Sequence, residues 1–298
     1  MSSDISKYLQ AGRVASKVRD RASELVHEGL PILELCDRIE GEIRKSGGKP
    51  AFPCNVGINQ VTAHYTSPID DLSTITKRSL VKIDLGVHVD GYIADTAFSV
   101  TFDGAYAGYI EAASAALSRA CDNMKPGTRA SKIGGIIQKE IEGRGLKPIW
   151  NLNGHKLARF MIHAGKSIPN VSSMNGTKIE AGEVYAIEPF VTSKDAAGEV
   201  KDSPSTHIYR YLRDVAAADG DARRLLDYIK FEYRTLPFAL RWLKDVLPQD
   251  SLQGAVSTLI SLKAIIGYPV LVEASGHAVA QVEHTVAVTE EGSIVTTS

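Results

Sequence analysis

The sequence predicts a two-halved α/β domain, and three observations carry that reading. A turn–helix–exit pattern occurs twice, a long strand pair closes through Asp90-Gly91, and helical and strand-like segments interleave over most of the chain. The repeat compares "EGLPILELCDRIEGEIRKSGGKP" from Glu28 with "PGTRASKIGGIIQKEIEGRGLKP" from Pro126. At a constant offset of 98, Gly29 matches Gly127, Leu35 matches Ile133, Ile39 matches Ile137, Ile43 matches Ile141, Gly47 matches Gly145 and Lys49-Pro50 matches Lys147-Pro148. Apolar residues four apart ending at a glycine are the mark of a helix packed on a core. Asn55 and Asn153 keep the offset after each helix, and His64 and His163 follow in similar places.

The elements follow in order. Helices are expected at about 4–27, 31–46, 105–123 and 130–143, a hairpin at 80–101, and strands around "LARFMIH", "EVYAIEPF" and "VAQVEHTVAVT". Residues 222–247 read as helices interrupted at Pro237, so about 204–267 is expected to be a mostly helical insertion within one domain spanning 1–298.

The hairpin "KIDLGVHVDGYIADTAFSV" raises the chemical question. Asp-Gly suits a type I′ turn, which needs positive φ at both central residues. That turn pairs Val89 with Tyr92, Gly86 with Asp95 and Asp84 with Ala97. Side-chain alternation then puts Asp84, Gly86, Asp95 and Ala97 on one face, and Val81, Ile83, Leu85, Val87 and Val89 on the other. Gly86 opposite Asp95 is expected to leave room above the sheet. Asp84 and Asp95 become diagonal neighbours, with Cα atoms roughly 7–8 Å apart. Carboxylates so close repel unless one holds a proton or a cation lies between them. The hairpin alone leaves open a solvated polar face. In "VAQVEHTVAV", Gln281, Glu283, Thr285 and Ala287 share one strand face, opposite Val282, His284, Val286 and Val288. Glu188 ends the apolar run "YAIEPF", where Pro189 limits sheet bonding. Several carboxylates with a histidine would suit Mn, Fe, Co or Zn.

Composition narrows the classes. With 298 residues, 44% hydrophobic and 23% charged, the chain is an ordinary globular one, and a net charge of −1 gives no sign of nucleic-acid or membrane binding. No signal peptide or membrane-spanning segment is evident. Cys36, Cys54 and Cys121 are scattered, odd in number and free of CxxC spacing, as expected for reduced thiols in a cytoplasmic protein. Arg223, Arg224, Arg234 and Arg241 in the insertion are expected on a solvated helix face that supports the site's wall, rather than as a winged-helix nucleic-acid surface.

The phrases "FPCNVGINQVTAHYTS", "KIDLGVHVDGYIADTA", "NLNGHKLARFMIHAGKSIPN", "VYAIEPF" and "QVEHT" together resemble the methionine aminopeptidases, along nearly the whole chain. That family shares the pita-bread fold with prolidase, aminopeptidase P and creatinase. The resemblance implies an α+β fold of pseudo-twofold halves, a curved antiparallel sheet and outer helices. The insertion between the fourth and fifth ligands points to the type II branch. Without a long N-terminal extension, the chain looks most like the short archaeal form. Two divalent ions are implied: Asp84 chelates one, Asp95 and Glu283 bridge, and His155 and Glu188 complete the second. Glu188 is the implied proton shuttle. His64 and His163 are implied to contact substrate, and Phe52, Phe190, Tyr268, Leu271 and His207 to wall the methionine pocket. The implied activity is removal of an N-terminal methionine from nascent chains and peptides whose second residue is small, by a monomer in the cytoplasm, with the ribosome as a candidate partner. The rivals are an X-Pro aminopeptidase or prolidase and a non-catalytic binding relative. Prolidases and aminopeptidases P usually carry a further N-terminal domain, and binding relatives have typically lost ligands.

Overall fold

The computed structural model describes residues 3–174, 176–216 and 220–298. The opening helix α1 (Ser3–Leu25) and α2 (Ile32–Lys45) lie on a sheet ordered β1 (Lys49–Ile58), β3 (Leu80–Val89), β4 (Tyr92–Thr101); the short β2 (Val61–Ala63) belongs elsewhere. In the second half, α3 (Ala107–Asp122) and α4 (Ala130–Glu142) precede β5 (Leu146–Pro148), β6 (Asn153–Leu157), β7 (Ser167–Pro169), β8 (Val184–Ile187) and β9 (Phe190–Ser193). Then come β10 (Val200–Tyr211), α5 (Gly220–Glu232), β11 (Phe238–Ala239), α6 (Gln249–Ser261) and β12 (Ile265–Glu273). The chain ends with β13 (Val279–Gln281), β14 (His284–Thr289) and β15 (Gly292–Val295). The described strand pairs are all antiparallel, so helices and sheets are segregated as in an α+β fold.

The duplicated pattern is physical as well as textual. Gly29 and Gly127 have φ of 82° and 83°, and Gly47 and Gly145 have φ of 87° and 73°. Gly29 N–H donates to Ile75 O and Gly127 N–H to Ile179 O, each at 2.8 Å. Matching bridges, Pro31 with Thr74 and Arg129 with Lys178, seat the start of each helix. The same turn therefore aims both helices, and each buries its isoleucines in a core of its own. Leu35, Ile39 and Ile43 meet Val81, Ile83, Leu85 and Val87. Ile133, Ile137 and Ile141 meet Tyr185, Ile187, Val286 and Val288.

The hairpin register is the expected one throughout, with Gly86 opposite Asp95 and Asp84 opposite Ala97, and Asp90 and Gly91 at φ of 51° and 89°. The room expected above Gly86 is filled. A Cβ there would stand 2.2 Å from Phe52 Cε1, because Phe52 on β1 is Gly86's other sheet partner.

Three strand expectations change. "LARFMIH" leaves β6 at Leu157 and turns at Phe160, whose φ is 56° and whose N–H donates to Gly91 O at 2.8 Å. Its apolar residues serve a packed loop, an ambiguity inherent in short apolar runs. "EVYAIEPF" breaks at Glu188-Pro189 between β8 and β9, which lie in different sheets, and "VAQVEHTVAVT" breaks at Val282-Glu283. The insertion is less helical than expected. Its ends, Thr206–Tyr211 and Ile265–Pro269, pair with each other, because a chain that leaves a sheet and returns can satisfy its backbone in the same ladder. Between them, Leu225, Leu226, Ile229, Phe238, Leu243, Leu252 and Leu259 form a separate core.

Candidate metal centre and substrate cavity

The two halves meet along β4 and the break between β13 and β14. Glu283 N–H donates to Ala97 O at 3.0 Å, and hydroxyls complete the seam. Thr285 Oγ1 accepts from Asp95 N at 2.7 Å and donates to Asp95 O at 2.8 Å. Thr96 Oγ1 donates to Glu283 O at 2.9 Å, and Ser99 Oγ to Gln281 O at 2.7 Å. These bonds satisfy backbone groups at a junction that no regular ladder spans, so the carboxylates of Asp95 and Glu283 are held face to face.

All five expected ligands line one cavity of about 240 Å³. Asp95, His155 and Glu283 each present a ligand atom, and these lie within 4.8 Å of one another. His155 Nε2 is 3.8 Å from Asp95 Oδ2 and 3.4 Å from Glu188 Oε1. Asp84, beside Asp95 on the hairpin, completes the set. Burial raises the carboxyl pKa of Asp84, Glu188 and Glu283 well above the usual range, and mutual repulsion adds to it. Burial also lifts Asp95, to about 7, against hydrogen bonds that favour its charged form. Burial pushes His155 down to about 3, ahead of repulsion by His163 and His64, so the imidazole is neutral and ready to ligate.

The residues fit a divalent cation. Asp84 Oδ1, Asp95 Oδ1 and Glu283 Oε1 are buried without a hydrogen-bond partner, a costly state for carboxylates that a cation would relieve. Four carboxylates and one imidazole form a hard-to-borderline donor set.

His64 stands at φ 63°, in the left-handed region that a non-glycine residue seldom occupies. Its Nδ1 lies 3.2 Å from Pro269 O, so Nδ1 carries the hydrogen and Nε2 is left as an acceptor. Burial lowers its pKa, ahead of the opposing Pro269 bond. His163 packs edge-on to His155, with centroids 4.4 Å apart, and remains open to solvent at the cavity mouth. Desolvation, with the charges of His64 and Arg210, lowers its pKa as well.

Phe52, Phe190 and Tyr268 line the cavity, and Tyr268 meets His64 edge-on at 5.4 Å. Leu271 and His207 fall outside that lining. Leu271 packs behind the wall against the core of Ile149, Phe190, Val200 and Val279, where β12 shifts register after it. His207 turns to the ring of Tyr65, at 5.5 Å. Ile162, Ile208, Pro237 and Asn55 line the cavity without having been singled out as wall residues. Gln281 was also missed: its Nε2 donates to Glu283 Oε2 at 3.1 Å. Strand parity was the available signal, since it places Gln281 and Glu283 on one face. Asn170, whose amide donates to Leu152 O at 3.0 Å and Glu188 O at 3.1 Å, gave no such signal.

This fold and donor set define a metal-dependent hydrolase, and comparison with known proteins supplies the family. The model of metallopeptidase family M24 matches residues 6–290, and the chain belongs to that family. It is 46% identical to a methionine aminopeptidase of Methanothermobacter thermautotrophicus over 98% of each chain. Its fold is similar to that of a thermophilic Arx1, with a TM-score of 0.84 and 18% identity over 99% of this chain and 91% of that one. It is also similar to a methionine aminopeptidase of Thermotoga maritima, with a TM-score of 0.72 and 19% identity over 100% and 97%. Among the described residues, no helix is long and apolar enough to cross a membrane.

Proposed function

We propose that the chain removes N-terminal methionine from peptides and nascent proteins by hydrolysis, using two divalent ions held by Asp84, Asp95, His155, Glu188 and Glu283. The observation that carries this reading is the convergence of those five donors in a cavity with an apolar wall. Bound divalent cations supply Lewis-acid polarisation of the peptide carbonyl and acidify water. Asp95 and Glu283, faced across the seam, would be the ligands common to the pair, with Asp84 adding a carboxylate from the hairpin side and His155 with Glu188 adding donors from the other.

Glu188, on the cavity wall beside the other donors, would take a proton from the attacking water and pass it to the departing amide nitrogen. The water oxygen bonds to the carbonyl carbon, the C–N bond breaks, and the protonated nitrogen leaves as an amine. His64 offers Nε2 to the N–H of the scissile peptide, and His163 steadies the developing charge at the carbonyl oxygen. Phe52, Phe190, Tyr268, Ile162 and Pro237 enclose an unbranched, polarizable thioether. A cavity of about 240 Å³ suits a single terminal side chain, in keeping with cleavage at the chain end. The three buried free thiols suit a reducing compartment such as the cytoplasm.

A tripeptide panel with added Mn or Co tests this reading: Met-Ala-X, Met-Lys-X, Ala-Ala-X and X-Pro-X. Met-Ala-X should be cleaved fastest. Faster turnover of X-Pro-X would replace this assignment with an X-Pro aminopeptidase.

A further inference from the structure

Arg241 departs furthest from its expected place. Of the four arginines expected on a solvated face, Arg224 is exposed, Arg223 bonds Val215 O at 2.7 Å, and Arg234 lies over the Phe160 ring, 4.4 Å from its centroid. Arg241 is only 6% exposed, and its guanidinium pairs with Glu40, itself 2% exposed on α2. A buried pair such as this gives little net stability, so its use has to be sought in what it holds in place.

Its other bonds show what that is. Arg241 Nη1 donates to Thr66 Oγ1 at 2.8 Å and to Ser67 O at 3.2 Å, just after His64. Glu40 Oε1 also accepts from Cys54 N at 3.0 Å, and Glu40 Oε2 from Trp242 Nε1 at 2.6 Å. Thr66 Oγ1 in turn donates to Cys54 O at 2.7 Å. Both backbone groups of Cys54 are thus taken out of the β-ladder, at the point where β1 slips register between Phe52 and Asn55. That irregularity turns Phe52 over Gly86 and sets Phe52 and Asn55 on the cavity wall. Four residues before Arg241, Pro237 lines the same cavity, and Leu236 packs with Phe52 and Ile162.

We propose that Arg241 and Glu40 are positioning residues that latch the insertion to the irregular stretch of β1 and so set the selectivity of the cavity for the N-terminal side chain. The selectivity part rests on the methionine reading above. The latch itself rests on the bonds alone. Neither residue touches substrate. They act through Phe52, Asn55, Pro237 and the segment that follows His64.

The single variant Arg241→Met would strand a buried carboxylate and risk unfolding, so the test uses Glu40→Gln/Arg241→Met. That double variant removes both charges, keeps an acceptor for Cys54 N–H while giving up the one for Trp242 Nε1–H, and fills most of the guanidinium's volume. It should fold with wild-type metal affinity by calorimetry. Hydrogen exchange across residues 50–67 should quicken, and the kcat/KM ratio of Met-Ala-X over Leu-Ala-X should fall about tenfold. Unchanged exchange across 50–67 would overturn the latch. Faster exchange with unchanged selectivity would overturn its link to the wall. If the wild type showed no preference for methionine, the methionine reading and the selectivity claim resting on it would fail together, and exchange alone would decide the latch.

Discussion

The two halves supply the candidate ligands in different ways. Asp84 and Asp95 sit on an unbroken hairpin whose tight turn and alternation dictate which face they share. In the second half, Glu188 follows the end of β8 and Glu283 lies between β13 and β14, while His155 stands in a five-residue strand. A regular hairpin places two carboxylates side by side, and no further side chain of that hairpin can reach across them. Strand ends can, because a chain freed from the ladder turns its side chain toward whatever lies opposite. The difference teaches that here the candidate shell is closed by one ordered wall facing one that is interrupted at Glu188 and Glu283. The hydroxyls of Thr96, Ser99 and Thr285 are what make the interruption tolerable.

The strongest way to break this comparison is at the seam. Asp95→Asn removes the ordered-wall carboxylate that faces Glu283 across the seam, so metal binding and activity should fall together, kcat/KM by on the order of a thousandfold. Retained metal occupancy by elemental analysis would show that the ordered wall is not a ligand wall. Next in size is His64→Ala, expected to lower kcat/KM by roughly a hundredfold with metal content intact, as for a residue acting on substrate. Loss of metal there would move His64 into the shell.

The smallest effect sharpens the account of the second half. Glu183, which braces β6 to β8 beside His155, is opposed by burial, yet hydrogen bonds from Lys156, Lys166 and Tyr185 bring its pKa from 4.5 down to about 2. A depressed carboxylate contributes stability that is fully present above pH 4.5 and is lost as pH falls toward 2. Glu183→Gln should therefore cost about 2 kcal/mol at pH 7, after allowance for solvent around the two lysines, and much less near pH 2.5. Urea midpoints at the two pH values measure it. An equal loss at both would mean that the carboxylate's charge does not brace this wall.

What could be read from residues alone follows the same division. The hairpin register, the two helices in repeat and the shared face of Asp84 and Asp95 were legible because alternation and turn chemistry act locally. Pro189 signalled the end of sheet bonding after Glu188, but the placing of the two flanking strands in different sheets, like the break at Val282-Glu283, comes from pairing with distant strands that the local sequence does not show. Arg241 was hidden for the same reason: its partners Glu40 and Thr66 lie far away in sequence, and nothing near Arg241 marks it as buried. The ring of Phe52 above Gly86 depends on a slip in β1 that Glu40 helps to set, again a tertiary effect. His155, Glu188 and Glu283 could be assembled beforehand only through resemblance, since no periodicity links them.

The central claim is that five side chains from both halves enclose two metal ions. Anomalous diffraction from crystals grown with Mn tests it directly. The account predicts two peaks roughly 3.5–4 Å apart, each within bonding distance of Asp95 and Glu283, with Asp84 on one and His155 and Glu188 on the other. Peaks that leave Glu283 or His155 uncoordinated, or that lie outside this cavity, would contradict it.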